Sequence, residues 1–334
     1  MTLRERTEER EKKDLSPRAC LSSASGGRFR PEEECPVRTS FQRDTDRIVH
    51  SKSFRRLMHK TQVFLQPEGD HYRTRMTHTL EVARIARTMA RGLALNEDLA
   101  EAAALGHDLG HTPFGHAGER VLNEIVPGGF RHFEQSLRVV DKLEKNGDGL
   151  NLTHEVRDGI LCHTTGRMAS TLEGQLVRLA DKIAYINHDI DDAIRGGIIY
   201  PMDIPVEISA VLGFTHSERI NTLVVDVIEA SGEGDVIAQT PEKKEAMAAL
   251  RAFMFEHVYR NPVAKGEEGK AQDMIRALFE HYATHPDELP ADFQTIRVEE
   301  GVERAVCDYV SGMTDNFAAE TYVSLFLPKA WTVK

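Results

Sequence analysis

The sequence predicts an all-α protein, and three observations predict it. Apolar residues recur at helical spacing over long stretches, as between Met76 and Leu93 and again between Leu172 and Arg195. No segment shows the alternation of a half-buried strand, and no glycine-rich turn follows a strand as in a dinucleotide-binding unit. The chain is punctuated instead by short breaker clusters: Pro67–Asp70, Pro127–Gly129, Asn146–Asn151, Gly196–Gly197 with Pro201 and Pro205, Ser231–Asp235, Asn261–Gly269 and Pro286–Asp292.

Residues 1–27 hold a charged run, Arg4–Asp14, that suits a short helix, and then a Ser/Gly stretch, Ser22–Gly27, that reads as a joint. We expect a flexible N-terminal segment there. Residues 28–200 form the expected core and 201–334 a helical C-terminal region, with the boundary near Gly197–Pro205. Within Met76–Leu93, His78 shares a stripe with Val82, Ile85, Met89 and Leu93, so it points inward. Asn96 reads as the N-cap of a helix that runs through Ala-rich sequence to Gly110, which places His107 and Asp108 on its last turn. Pro113 suits the first turn of another helix, on which His116 and Glu119 are three apart and face the same way. In the helix from about Leu172 to Arg195, closed by Gly196-Gly197, Asp181, Tyr185 and Asp189 lie on one polar face.

These positions permit convergence. An inward His78 and a nearby His107-Asp108 pair make three candidate metal ligands, and Asp181 is the candidate fourth. Mixed imidazole and carboxylate donors suit a divalent ion, Mn2+, Mg2+ or another transition metal, with positions left open for water and phosphate oxygens. Arg75, one turn before His78, and Lys182, next to Asp181, are within reach of phosphate oxygens.

The order of a His, a His-Asp pair and a distant Asp on separate helices resembles the HD superfamily of metal-dependent phosphohydrolases. The run His107-Asp-Leu-Gly-His-Thr-Pro-Phe-Gly-His-Ala-Gly-Glu119 makes the likeness specific, together with Arg38–Arg47, Phe54–Phe64, Ala180–Asp189, Tyr309–Asp315 and the tail Phe317–Pro328. From about residue 28 to the end, the chain resembles the bacterial deoxyguanosine-triphosphate triphosphohydrolase-like family.

That resemblance implies an all-α HD-domain helical core with additional C-terminal helices. It implies hydrolysis of a dNTP at the α-phosphorus, giving deoxynucleoside and inorganic triphosphate. It makes His116 and Glu119 the catalytic dyad, places Arg75, His111, His132 and Lys182 near the phosphates and Tyr185 and Asp189 near the sugar, and puts Gln62 near the 3′ hydroxyl. A ring at Tyr185 packed where a 2′ hydroxyl would project rejects ribonucleotides sterically. The resemblance further implies a homo-oligomer, a tetramer or hexamer, with subunit contacts from the C-terminal region, and for some relatives a dNTP activator or single-stranded DNA as a partner.

Composition sets the outer limits. With 334 residues, 28% charged and 40% hydrophobic, the chain can bury a full core. Its net charge of −11 argues against a general nucleic-acid coat, whereas the seven Lys or Arg against two Asp in Arg38–Lys60 mark a local polyanion site, an activator site or a subunit contact. Cys20, Cys35, Cys162 and Cys307 are scattered without CxxC spacing and read as reduced thiols of a cytoplasmic protein. No apolar run approaches the ~18 residues of a membrane span, and no targeting segment is visible. Two other readings share the HD pair. An HD enzyme acting on a monophosphate, cyclic dinucleotide or alarmone is disfavoured because no Gly-Tyr-Pro signature follows it. A non-catalytic nucleotide sensor or nucleic-acid binder predicts a lost ligand or dyad residue, and none is lost.

Overall fold

Side chains that take the free amides of a first turn set many of the helix starts. Thr74 accepts from Thr77 N at 3.4 Å, Asn96 from Asp98 N and Leu99 N at 3.1 and 3.3 Å, and Thr171 from Gly174 N at 3.1 Å. These caps open the two helices that carry His78 and Asp181 and the one that leads into His107 and Asp108.

The computed structural model describes residues 1–62, 73–164, 166–232, 234–261 and 266–328. The break expected at Pro67–Asp70 lies outside them, as does part of that at Asn261–Gly269. The described residues form sixteen α-helices and no strand. In order these are α1 (Leu3–Asp14), α2 (Ser40–Val49), α3 (Lys52–Arg56), α4 (Arg75–Gly92), α5 (Glu97–Gly106), α6 (His116–Ile125), α7 (His132–Arg138) and α8 (His154–Leu161). They continue with α9 (Leu172–Arg195), α10 (Val206–Leu212), α11 (His216–Ser231), α12 (Pro241–Met254), α13 (Glu268–Thr284), α14 (Ala291–Glu300), α15 (Val302–Gly312) and α16 (Asp315–Phe326). Within 1–27, Glu11 of α1 accepts from Ser22 N and Ser22 Oγ, both at 2.7 Å, and ties the Ser-rich stretch to the helix.

Two boundaries differ from the sequence expectation. The helix expected to reach Gly110 stops at Gly106, and His107 to Gly110 form a turn. His107 causes the stop locally: its Nδ1 binds Ala104 O at 2.6 Å, taking a carbonyl that another helical amide would use. The helix expected to begin at Pro113 begins at His116, because Phe114 and Gly115 have φ of 60° and 54°, outside the right-handed helical region.

The apolar residues segregate into two clusters. The larger holds Val82, Met89, Leu99, Leu176 and Ile183, where α5 packs on α4 and α9, and it continues into α10–α12 through Leu212, Leu223 and Leu250. The smaller joins Phe114, Val121 and Leu122 to Ile275 and Leu278 of α13 and to Val306 and Val310 of α15. The helix carrying His116 and Glu119 is therefore seated on the C-terminal helices.

Gly110 sits where backbone meets backbone: a Cβ there would lie 2.1 Å from Ser136 N and 2.6 Å from His132 O. Gly110→Ala should therefore lower unfolding stability by about 2 kcal/mol or more through overpacking. Gly269→Ala, where a Cβ meets nothing within 4 Å, should be neutral or stabilising. Denaturant midpoints of the two variants check the contrast, and equal midpoints would contradict it.

Candidate functional site

The first turn of α4, the turn after α5 and the middle of α9 meet around two carboxylates. His78 Nε2 lies 3.2 Å from Asp181 Oδ1 and 4.0 Å from Asp108 Oδ2; His107 Nε2 lies 3.5 Å from Asp108 Oδ1 and 3.9 Å from Asp181 Oδ1. The structure thus brings His78, His107, Asp108 and Asp181 together, although they come from three separate segments. His107 Nδ1 donates to Ala104 O, which turns Nε2 toward the carboxylates, and among the described residues that buried atom has no hydrogen-bond partner. A buried ring nitrogen without a partner, beside two carboxylates, matches a metal ligand. The donor atoms of His78, His107 and Asp108 all lie within 4.8 Å of one another, as do those of the adjoining set Asp108, His111 and His132.

Charge balance holds this cluster in its ionised form. Burial pushes Asp108 toward protonation, but the surrounding His107, His111, Arg75 and His78 outweigh it and keep the carboxyl well below the ordinary range. Arg75 Nη1 donates to Asp108 Oδ2 at 2.6 Å. Burial raises Asp181 as well, and its hydrogen bond with His78 with the charge of His107 reverses the sign. His78, lowered by burial, is raised overall by its bond to Asp181.

Next to the cluster, Glu119 bridges two imidazoles. Its Oε2 lies 3.1 Å from His116 Nδ1, and its Oε1 lies 2.9 Å from both Nδ1 and the main-chain N of His132. Burial raises Glu119, but the bonds to both histidines hold it far below the usual carboxylate range. The two histidines differ in access: the His116 side chain is 69% exposed and that of His132 only 14%. His132 Nε2 faces His163 Nε2 at 3.3 Å, and His163 Nδ1 donates to Ile160 O at 2.7 Å. His163, lowered to about 4 by burial and by the charges of His107 and His132, is the acceptor in that pair. His111 is buried and stacks on His132, with centroids 4.1 Å apart, while its Nε2 lies 3.4 Å from Asp108.

On the other side of the cluster, Lys182 and Tyr185 of α9 are half-buried. Lys182 is lowered by burial and by the charges of Arg178, Arg251 and Lys244. Tyr185 is raised to about 12, mainly by burial, with Arg251 bonding it from α12. Among the described residues, no carboxylate pairs with any of these four cations. Asp189 is buried and accepts from Tyr259 OH, and burial raises its carboxyl to about 7. Gln62 is half-buried and its Oε1 has no partner among the described residues. Sequence reasoning missed His163, Lys244, Arg251 and Tyr259. The last three lie on α12 and its wide π-turn, Phe255–Tyr259, where nothing but a Lys244-to-Arg251 spacing of two helical turns signals that they face α9.

The model of the HD domain matches residues 75–186 and that of the phosphohydrolase-associated domain residues 237–324. A deoxyguanosinetriphosphate triphosphohydrolase-like protein of Caldanaerobacter subterraneus is 59% identical over 331 residues, covering 99% of this chain and 98% of its own. This chain belongs to the deoxyguanosinetriphosphate triphosphohydrolase-like family. A second member, from Desulfatibacillum aliphaticivorans, is 50% identical over 351 residues, with 98% of this chain and 99% of its own covered. A solved structure of a hypothetical protein from Aquifex aeolicus aligns at a TM-score of 0.48 and 21% identity, over 86% of this chain and 68% of its own. As in the family, the fold is all-α, and the chain is an HD-domain phosphohydrolase with a His/Asp cluster able to hold a divalent metal. No helix among the described residues is long and apolar enough to cross a membrane.

The raised carboxyl of Asp189 gives a pH signature. Its folded value of about 7 exceeds its ordinary 3.8, so the folded state binds the extra proton between those values and loses stability as pH rises through the interval. Asp189→Asn has no such proton to lose. The stability of Asp189→Asn relative to wild type should therefore rise from about pH 4 to about pH 7 and level off above. Thermal midpoints across that range check it, and a difference independent of pH would contradict it.

Proposed function

We propose that this protein is a metal-dependent dNTP triphosphohydrolase that splits the bond between the α-phosphorus and the 5′ oxygen, releasing deoxynucleoside and inorganic triphosphate. The observation that carries the reading is the group of four cations that form no salt bridge among the described residues, Arg178, Lys182, Lys244 and Arg251, beside the His/Asp cluster. A polyphosphate chain is the anion that such a group complements. The names of the relatives, which cover nearly the whole chain, support the same reading.

His78, His107, Asp108 and Asp181 would hold the ion, supported by the orphaned Nε2 of His107 and the ionised state of both carboxylates. A divalent ion there supplies charge neutralisation at an α-phosphate oxygen and lowers the pKa of water. Arg75, which already holds Asp108, and buried His111 present positive or donor atoms to the phosphates. Glu119 fixes Nδ1 of exposed His116 and leaves its Nε2 as the atom that moves a proton when water replaces the 5′ oxygen at phosphorus. His132 and His163 hold Glu119 from the buried side. Tyr185 packs at the sugar, and Gln62 Oε1 and Asp189 Oδ1, which have no partner among the described residues, are acceptors for a sugar hydroxyl.

One assay tests the reaction: metal-supplemented protein with each dNTP, alone and mixed, and the products resolved. Deoxynucleoside plus triphosphate is expected. Monophosphate plus pyrophosphate, or released phosphate, would reject the proposal, and no turnover in any mixture would favour a sensor.

Two substitutions test the division of roles. Asp108→Ala should lose both metal and turnover. His116→Ala should keep its metal and lose about 10²–10⁴-fold in kcat, the usual contribution of a proton-transferring group. Metal analysis beside kinetics checks both, and metal loss in both variants would undo the assignment. Arg251→Met should raise KM more than it lowers kcat if its charge acts in binding alone.

A further inference from the structure

The segment from His111 to Gly115 connects the metal-cluster turn to His116, and its backbone is unusual. Phe114 is a non-glycine residue at φ 60°, followed by Gly115 at 54°, a conformation that persists only where surrounding structure over-determines it. Two buried charged side chains supply that constraint, and both lead to the C-terminal helices.

The first is Asp315, at the start of α16 and 3% exposed. Its Oδ1 accepts from Phe114 N at 2.9 Å, and its Oδ2 accepts from Thr61 N at 2.9 Å and from Thr61 Oγ1. Thr61 O in turn accepts from Arg75 Nη2 at 3.1 Å, and Arg75 holds Asp108. The second is Lys60, also 3% exposed, whose ammonium donates to His111 O and, at 2.9 Å, to Ser311 O of α15. The loop is thus fixed by its His111 carbonyl and by its Phe114 amide. Neither Asp315 nor Lys60 is among the residues grouped around the metal cluster or bridged by Glu119.

We infer that Asp315 is a positioning residue: by holding the Phe114 amide and Thr61 together it sets the aim of His116, so that the C-terminal helices govern turnover without entering the site. The inference rests on the proposed proton-moving role of His116. Asp315 suits the task because one carboxylate offers acceptor capacity for three donors at once. An uncharged isostere cannot do the same. In Asp315→Asn one oxygen becomes an NH2, a donor facing either the Phe114 amide or the Thr61 amide and hydroxyl.

The test compares Asp315→Asn with Ala318→Gly, a buried position on the same helix that weakens α16 while leaving the Asp315 carboxylate and its three donors in place. Asp315→Asn should lower kcat about 10²-fold, the cost of a misplacement of about 1 Å, with KM and bound metal within about twofold of wild type. Amide hydrogen exchange over 111–118 should accelerate in the same variant. Ala318→Gly should lose stability while keeping kcat and slow exchange in that segment. Thr61→Val, which removes the hydroxyl bond alone, gives the same comparison from the other side of the carboxylate if Asp315→Asn does not fold: faster exchange at Phe114 with a smaller loss of kcat supports the clamp, and wild-type exchange and kcat overturn it.

Wild-type kcat in Asp315→Asn, metal loss that accounts for the whole defect, or an equal kcat loss in Ala318→Gly would also overturn it. Exchange and product analysis separate the two claims. Products other than triphosphate from the wild type sink the proposed reaction and leave faster exchange in Asp315→Asn as support for the clamp. Unchanged exchange in that variant sinks the clamp whatever the product.

Discussion

A buried carboxylate has to be compensated, and around Asp108 that requirement organises the molecule. In a low-dielectric interior an unpaired Asp takes up a proton, since its ionised form has lost the solvation of water. Asp108 is 3% exposed yet held ionised, because Arg75 and His78 reach it from α4 and His107 and His111 from the turn on either side. Asp181 completes the group from α9. A set drawn from three segments closes only if α4, α5 and α9 pack as they do, so the apolar cluster of Val82, Leu99 and Ile183 is the support of the electrostatics.

Glu119 applies the same logic to the pair proposed to handle the proton. It satisfies two imidazoles with one carboxylate, one imidazole exposed and one half-buried. The buried branch continues to His163 and ends on the Ile160 carbonyl, which fixes a donor and acceptor sense along the chain. The exposed branch ends on His116. The His/Asp cluster and the His116–Glu119 pair are neighbours built from different elements, one resting on the larger apolar cluster and the other on the smaller.

The C-terminal helices contribute at two depths. From α12 and its π-turn come Arg251, Lys244 and Tyr259, which face α9 and give the site positive charge and the hydroxyl that holds Asp189. From α15 and α16 come Ser311 and Asp315, which reach the loop before His116 from behind. The acidic net charge of −11 is no obstacle to an anionic ligand, because the local field at these cations and at Arg75 is positive.

By itself the sequence determined whatever depends on period and punctuation. The inward face of His78, the Asn96 cap, the close of α9 at Gly196, the helical i to i+3 pairing of His116 with Glu119 and the all-α class follow from short-range pattern, and the grouping of His78, His107, Asp108 and Asp181 is an expectation from where those residues fall along their helices. Tertiary structure decided the rest. It stopped α5 at Gly106 because the His107 ring takes a main-chain carbonyl, and it delayed α6 to His116 because Asp315, two hundred and one residues away, holds the amide of a left-handed Phe114. It also delivered His163, Arg251 and Tyr259, whose own neighbourhoods in the chain read as ordinary helix or turn. Local periodicity tells which face of a helix is apolar; which distant side chain meets a given polar atom is set by how whole helices dock, and no short window of sequence records that.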